Sequence, residues 1–402
     1  MTEILSKSDA ELVAQRRNFV LARLLPILAG IAIGFAIVDR IVAATDTVAE
    51  EGAFRYGDPL LGWDNRPGFE NPQFETKLDR FGFRNEEIPD DADPKEIRIA
   101  GFGASRLYGA GNEIVQPKCW NYVLEDLLRR DDAPSVRVLN GGVMAYSASQ
   151  AALRAKLYLD AVEPDLVFVT VSATMQFLLD DKEARRFVEI DGEPVPKSIA
   201  DAWPRALVPA VMAFKEFAGR NSAIVARHNN REMMEGDLPP GVQSWLYFDE
   251  PEDPAMRRAL RTTWDNFLEL RRACDERGVE LRIAVVPTTE LLRPVAWQAW
   301  LEENGARWGV PRSASRRAPI DHLIQRLREL GFEVWDLSPE TNRIGREFRR
   351  FMSADNGHWN VAGHALIAEG LARCLAEEDA LPRLAAERAA HPRPRPYGEL
   401  PR

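Results

Sequence analysis

The sequence predicts an α/β fold: a doubly wound parallel sheet with helices on both faces, preceded by one N-terminal transmembrane helix. Three observations predict it. Between Ile97 and Leu337, short apolar runs alternate with segments of helical periodicity, the succession that builds βαβ units. Several of those runs are apolar throughout rather than at every second residue, which suits strands buried on both faces of a parallel sheet. Ahead of them, Phe19 to Val38 is apolar or small except for Arg23, about the 20 residues needed to cross a hydrocarbon core.

The N-terminal span comes first in the chain. Arg16 and Arg17 precede it, whereas Asp39, Asp46, Glu50 and Glu51 dominate the far side against Arg40. The positive-inside rule then leaves residues 1–18 in the cytoplasm and exports everything beyond about residue 44. Three readings share this outcome: an uncleaved anchor over 19–44, a signal peptide cleaved near Val42-Ala43-Ala44, and a twin-arginine signal at Arg16-Arg17. The full-span length favours the anchor, which places the chain as a single-pass protein of the inner or plasma membrane with its domain on the periplasmic or extracellular side. Residues 45–96 lack regular periodicity and are punctuated by Gly57-Asp58-Pro59, Arg66-Pro67-Gly68 and Asn71-Pro72. Such a lead-in has no core of its own and is expected to lie over the domain that follows.

The domain spans 97–378. Ile97 to Phe102 reads as a strand running into the Gly103-Ala104-Ser105 turn. A serine there sits beyond the carboxyl end of a strand, where ligands bind in parallel α/β sheets, although the same residue could simply cap a helix. Trp120, Val123, Leu124, Leu127 and Leu128 recur at the spacing of a one-faced helix. Strands are expected at Val136 to Leu139, Asp165 to Ser172, Leu281 to Val286 and Phe332 to Leu337, with helices at about Ser149 to Ala161, from Asp253-Pro254 to Gly278, and through Ile320 to Leu327. Residues 177–250 break the rhythm with the charge run Asp180 to Arg186 and Pro194, Pro196, Pro204 and Pro209; they read as an insertion. Residues 379–402, rich in proline and arginine, read as a mobile tail.

Bulk numbers exclude some functions. With 402 residues, 45% hydrophobic and 28% charged, the chain has the composition of a folded globular protein. A formal charge of -10 without a compact basic stripe argues against a nucleic-acid partner. Cys119, Cys274 and Cys374 lack any C-x-x-C spacing and read as small core residues. No His, Glu or Cys grouping has metal-ligand spacing, and neither a G-x-G-x-x-G nor a P-loop is present, so no metal or cofactor is expected.

A second chemical signal comes late, in Asp355-Asn356-Gly357-His358 ahead of a helix opening at Val361. Three residues apart in a glycine-containing loop, the carboxylate can accept from one imidazole nitrogen and leave the other to take a proton from a hydroxyl. That division of labour belongs to a Ser-His-Asp triad. His364 at the helix start reads as structural, and His228, His322 and His391 as surface residues.

Gly103-Ala104-Ser105 with Gly109, the Asn140-Gly141-Gly142-Val143 block, Pro164-Asp165-Leu166-Val167, and Asp355-x-x-His358 with Gly363-His364 together resemble the SGNH/GDSL hydrolase superfamily. Leu61-Gly62-Trp63 and Phe81-Gly82-Phe83-Arg84 resemble the lead-in of its membrane-anchored bacterial members. The resemblance implies a flavodoxin-like three-layer α/β/α sandwich and a serine esterase or acyltransferase, with Ser105 as nucleophile, His358 as general base and Asp355 orienting it. The implied substrate is an acyl or acetyl ester of a carbohydrate or lipid at the cell envelope. The sequence departs from the family at three places. Ala104 replaces an acidic residue, Ala145 stands where a glycine donates its N–H to the oxyanion hole, and Thr174-Met175 replaces an Asn-Asp pair. Ser105, Ala145 and Thr174 are therefore the oxyanion candidates, and a non-enzymatic envelope binding or assembly module is the competing reading.

Overall fold

The computed structural model describes residues 24–40, 55–71, 75–89, 93–110, 114–129, 135–172, 174–176, 187–222, 224, 243–245, 254–286, 293–304, 312–353 and 358–393, apart from single positions at 59, 88 and 192. Within these, the chain forms two compact units, one of residues 1–55 with 198–234 and one of residues 56–197 with 235–402.

The larger unit is built on a five-stranded sheet. Its strands are β1 (Ile97–Gly103), β2 (Val136–Gly142), β3 (Leu166–Val171), β4 (Glu280–Val285) and β5 (Val334–Asp336). They lie in the order β5-β4-β3-β1-β2, and every pairing is parallel. The chain moves outward from β1 to β2 and then crosses back to β3 on the other side, so β1 and β3 flank the switch point where doubly wound sheets bind ligands. Every residue of β1 is buried, which suits its small and apolar residues; its one charged residue, Arg98, donates to Val162 O at 3.1 Å and pairs with Glu96 at 3.4 Å.

Alternate residues feed two cores. Ile97, Ile99, Val136, Val138, Leu166 and Phe168 face a cluster that includes α2 (Trp120–Leu128, following the short α1 at Ser105–Tyr108) and residues of the two last helices. On the opposite side, α3 (Ala148–Val162) packs against α4 (Pro254–Arg277). A Ser147–Gln150 capping box starts α3 by satisfying two otherwise unpaired backbone donors reciprocally. Next come α5 (Ala318–Glu329), α6 (Val361–Glu377) and α7 (Ala380–Ala390).

The last of these differs from the expected mobile tail. Ala380 and Leu384 are buried, and Arg388 and Arg393 both reach Asp165, at 2.8 Å and 2.6 Å. Asp165 also accepts the Arg98 backbone N–H at 2.7 Å, so its carboxylate is satisfied inside the protein and the basic residues that suggested solvation are its partners. Residues 394–402 lie outside the described residues, as do the charge run Asp180 to Arg186, His228, and residues 1–23 and 41–54.

The lead-in lies on the domain as expected and closes the outer edge of β2. Arg84 N–H donates to Asn140 O, Asn85 Oδ1 accepts from Asn140 N–H, and Asn85 Nδ2 donates to Val138 O, all at 2.8–2.9 Å. An open strand edge is thereby paired with loop. Leu61, Trp63, Phe81 and Phe83 are buried. Arg154 of α3, itself fully buried, holds this segment by donating to Asp64 at 2.6 Å and to Gly141 O at 3.0 Å, with its guanidinium over the Phe83 and Tyr158 rings. The Asp64 charge raises the Arg154 pKa, and burial raises that of Asp64, which Arg154 opposes.

The smaller unit contains the described part of the predicted span, a helix over 24–40, and the helix Val208–Asn221. Among the described residues no helix is long and apolar enough to cross a membrane by itself.

Candidate active site

Ser105 is the first residue of α1, directly after the carboxyl end of β1. This helix is a single turn because Gly109 ends it in the left-handed conformation, with φ of 86° and its N–H returned to Ser105 O. A side chain at Gly142 would collide with the Tyr108 backbone, so the small last residue of β2 lets that strand's end press against the serine turn. Asn140 joins the two: its Nδ2 donates to Leu107 O at 3.0 Å while its Oδ1 accepts from Gly142 N–H at 3.0 Å. From the lead-in, the buried Arg84 donates to Tyr108 O at 3.0 Å and also reaches the Gly109 and Ile114 carbonyls. The carbonyl end of α1 is thus satisfied by one fixed cation.

His358 arrives from the other end of the sequence. Its carbonyl accepts from Ser353 N–H at 2.9 Å and Ser353 Oγ at 3.1 Å, and Met352 and Trp359 form an isolated bridge. Asn360 then caps α6 by accepting from Gly363 N–H at 3.0 Å. Pinned on both sides, the half-buried His358 places Nε2 3.0 Å from Ser105 Oγ. This is hydrogen-bond reach between a hydroxyl and a base, across 253 residues of sequence. Asp355 lies outside the described residues.

Six residues on, His364 is fully buried and plays another part. Its Nδ1 accepts the Trp120 N–H at 3.3 Å, and burial, with the nearby Arg84 charge, lowers its pKa to about 3. It is neutral at any physiological pH and serves as a packing group, as the sequence suggested.

Ala145 adopts φ of 61°, the left-handed conformation that a glycine would take at lower cost. The turn that holds it is braced: Trp63 Nε1 donates to Met144 O at 3.0 Å, and Tyr146 Oη donates to Trp63 O at 2.6 Å. Thr174 lies in the short strand Thr174–Gln176, which pairs antiparallel with Gln243–Trp245 at the two ends of the expected insertion.

Residues 238–402 match the family model of the SGNH hydrolase-like domain of the acetyltransferase AlgX. The match covers less than half of the 402-residue chain. The matched segment carries His358, and the fold supplies Ser105 from outside it. Among solved structures, the chain is similar to the lipase/acylhydrolase from Enterococcus faecalis, at 14% identity over 70% of this chain and 96% of that one with a TM-score of 0.34. It is also similar to a lipolytic protein of the G-D-S-L family from Desulfitobacterium hafniense DCB-2, at 11% identity over 69% and 98% with a TM-score of 0.32. No match was found among curated proteins.

Around Ser105 and His358, sequence reasoning missed the side chains that hold the turns in place. Arg84, Trp63 and Asn140 stand in blocks that the sequence marks only by their family resemblance. Their signal was faint because each acts on backbone carbonyls far away in sequence, 81 residues in the case of Trp63 and Met144.

Proposed function

We propose that the protein is a membrane-anchored serine esterase or acyl/acetyl transferase that acts on an ester of a carbohydrate or lipid at the cell envelope. The observation that carries this reading is the 3.0 Å approach of His358 Nε2 to Ser105 Oγ at the carboxyl edge of the sheet. Ser105 Oγ attacks the ester carbonyl carbon while its proton passes to His358 Nε2. The oxyanion of the tetrahedral intermediate is held by the N–H groups of Ser105 and Ala145, with the Thr174 hydroxyl as a third donor. Collapse expels the alcohol, which leaves with the proton from His358. The acyl-serine is then released to water or to an acceptor hydroxyl activated by the same histidine, with Asp355 fixing the imidazole tautomer. The braced left-handed backbone at Ala145 supports its place in the hole, since an alanine supplies the same N–H as glycine once that conformation is enforced.

Anchoring draws on the helix over 24–40. Leu24, Leu25, Ile27, Leu28, Ile31, Ile33, Phe35, Ile37 and Val38 are exposed and lie round its whole circumference. A helix that is apolar on every side belongs in protein or in lipid. With residues 19–23 added, the stretch reaches the length of a span.

The test uses the full chain in native membranes, a fluorophosphonate probe and a short-chain acyl ester. Ser105→Ala abolishes labelling and lowers turnover at least about a thousandfold. Turnover that survives this change overturns the mechanism. An intact N-terminal peptide in the membrane fraction establishes the anchor, and a mature start near Thr45 refutes it. The Thr174-Met175 departure favours a second reading, a binding module on the same fold, and a well-folded wild-type protein that takes no probe would select it.

A further inference from the structure

We infer that the helix Val208–Asn221 and the Trp203–Leu207 segment before it form a membrane-lying surface that rests on the lipid headgroups where the N-terminal helix leaves the bilayer. The inference rests on the anchor reading above and adds a second contact with the membrane, within the smaller unit alone.

Residues of the helix sort into two faces at helical spacing. Val208 is buried and Val211, Met212 and Lys215 are half-buried, whereas Ala210, Ala213, Phe214 and Phe217 are exposed. The exposed face is thus as apolar as the inward one, unlike the polar outer face of a surface helix on a globular domain. Phe214 and Phe217 show 71% and 65% of their surface, and Trp203 and Leu207 show 47% and 48%. Two phenylalanines, a tryptophan and a leucine within fifteen positions make an exposed apolar patch of the kind that marks an interaction site.

The occupant follows from what the patch is tied to. Asp39, at the end of the apolar helix over 24–40, accepts from Ser222 Oγ at 2.7 Å and from Ile224 N–H at 3.0 Å. The last turn of Val208–Asn221 is thus fixed beside the point at which the apolar helix reaches its first acidic residue, the level of the membrane–water boundary. Phe217 precedes Ser222 by five residues, about 7 Å along a helix axis. That keeps the aromatic face close to this boundary, where aromatic side chains concentrate and where apolar helix faces sink about 5–10 Å into the headgroup region. A bilayer surface meets all of these features together: apolar, aromatic, and continuous with the anchor.

The experiment places single spin labels on the full chain in vesicles of phosphatidylethanolamine with a minority of phosphatidylglycerol, at Ile31→Cys, Phe214→Cys, Phe217→Cys and, as an aqueous control, Glu329→Cys. The three native cysteines are buried, so the introduced thiols take the label. Collisions with dissolved oxygen and with a neutral nickel chelate report depth. The expected result is a deep label at Ile31 and, at Phe214 and Phe217, oxygen contact raised and nickel contact lowered severalfold relative to Glu329. Deep Ile31 with water-exposed Phe214 and Phe217 overturns the inference while the anchor stands. Water-exposed Ile31 overturns the anchor, and the inference with it. Protection of Phe214 and Phe217 from both agents overturns the inference in favour of a protein partner or a second copy of the chain.

Discussion

The carboxyl edge of the sheet is unevenly supported, and the contrast between the ends of β1 and β2 on one side and the end of β3 on the other is instructive. After β1 and β2, buried side chains from the lead-in and α3 bond directly to turn backbone: Arg84 to the end of α1, Trp63 to Met144, Asn65 Nδ2 to Gly82 O and Gly142 O at 2.9 Å each, and Arg154 to Gly141. After β3 the backbone leaves the sheet at Thr174–Gln176 and pairs with Gln243–Trp245 instead. Two of the positions where this sequence departs from the SGNH/GDSL pattern it resembles, Ala145 and Thr174, fall on opposite sides. Ala145 sits in the braced half, and Thr174 in the half that joins the insertion. A substitution within a braced turn can keep the backbone N–H where chemistry needs it, because the surroundings dictate the conformation.

Removing the brace should have the largest effect. Arg154→Met leaves the Asp64 carboxylate buried without its cation, and the expected loss is about 3–5 kcal/mol of stability in a denaturant melt. An effect near zero would show that the two halves do not differ as described.

Next in size is a pH effect from the same lead-in. Asp79 Oδ1 accepts from the N–H groups of Phe81 and Phe83 at 2.8 and 2.9 Å, and burial raises its pKa to about 7 from 3.8. The folded state thus holds a proton that the unfolded chain has released, so this group's contribution to stability is full below the unfolded value and is lost as pH rises toward 7. Compared with Asp79→Asn, the wild type should lose up to about 1.4 kcal/mol per pH unit over that window. Subtracting the variant's curve removes the opposite slope of His364, whose lowered pKa makes stability rise with pH from about 3 to its ordinary value of 6.5. Parallel curves for the two proteins would refute the buried, protonated Asp79.

A third measurement sharpens the comparison at the site. Trp63→Phe keeps the packing and removes the hydrogen bond to Met144 O, so kcat should fall by about tenfold with KM nearly unchanged, the signature of a loosened oxyanion turn. A rise in KM alone would instead assign Trp63 to substrate binding. At the other end of the edge, Thr174→Ala should lower kcat by less than about tenfold if two backbone donors carry the hole, whereas a loss of about a hundredfold would give the hydroxyl a full donor's share. The smallest effect belongs to Ala145→Gly, which relieves the left-handed strain against a larger loss of chain freedom and should stabilise by about 0.5–1 kcal/mol without lowering turnover.

Much of this was legible in the sequence. Strands β1 to β5 and their helices followed from periodicity and came within a few residues of their observed limits, because a strand buried on both faces is predominantly apolar and a one-faced helix cannot hide its spacing. Ser105 and His358 stood out because their turns carry unusual chemistry in small-residue settings. The tail was misjudged for a physical reason: arginines near a terminus look solvated until a buried carboxylate such as Asp165 is found to receive them. The sequence by itself determined the layers of the fold, the apolar N-terminal stretch and the identity of the two groups that meet. Only the tertiary structure decided that they meet at 3.0 Å, that Ala145 is held left-handed by a tryptophan in the lead-in, and that Val208–Asn221 leaves an apolar face exposed. Periodicity encodes which residues leave water, but distances between groups hundreds of positions apart are set by how the whole chain packs.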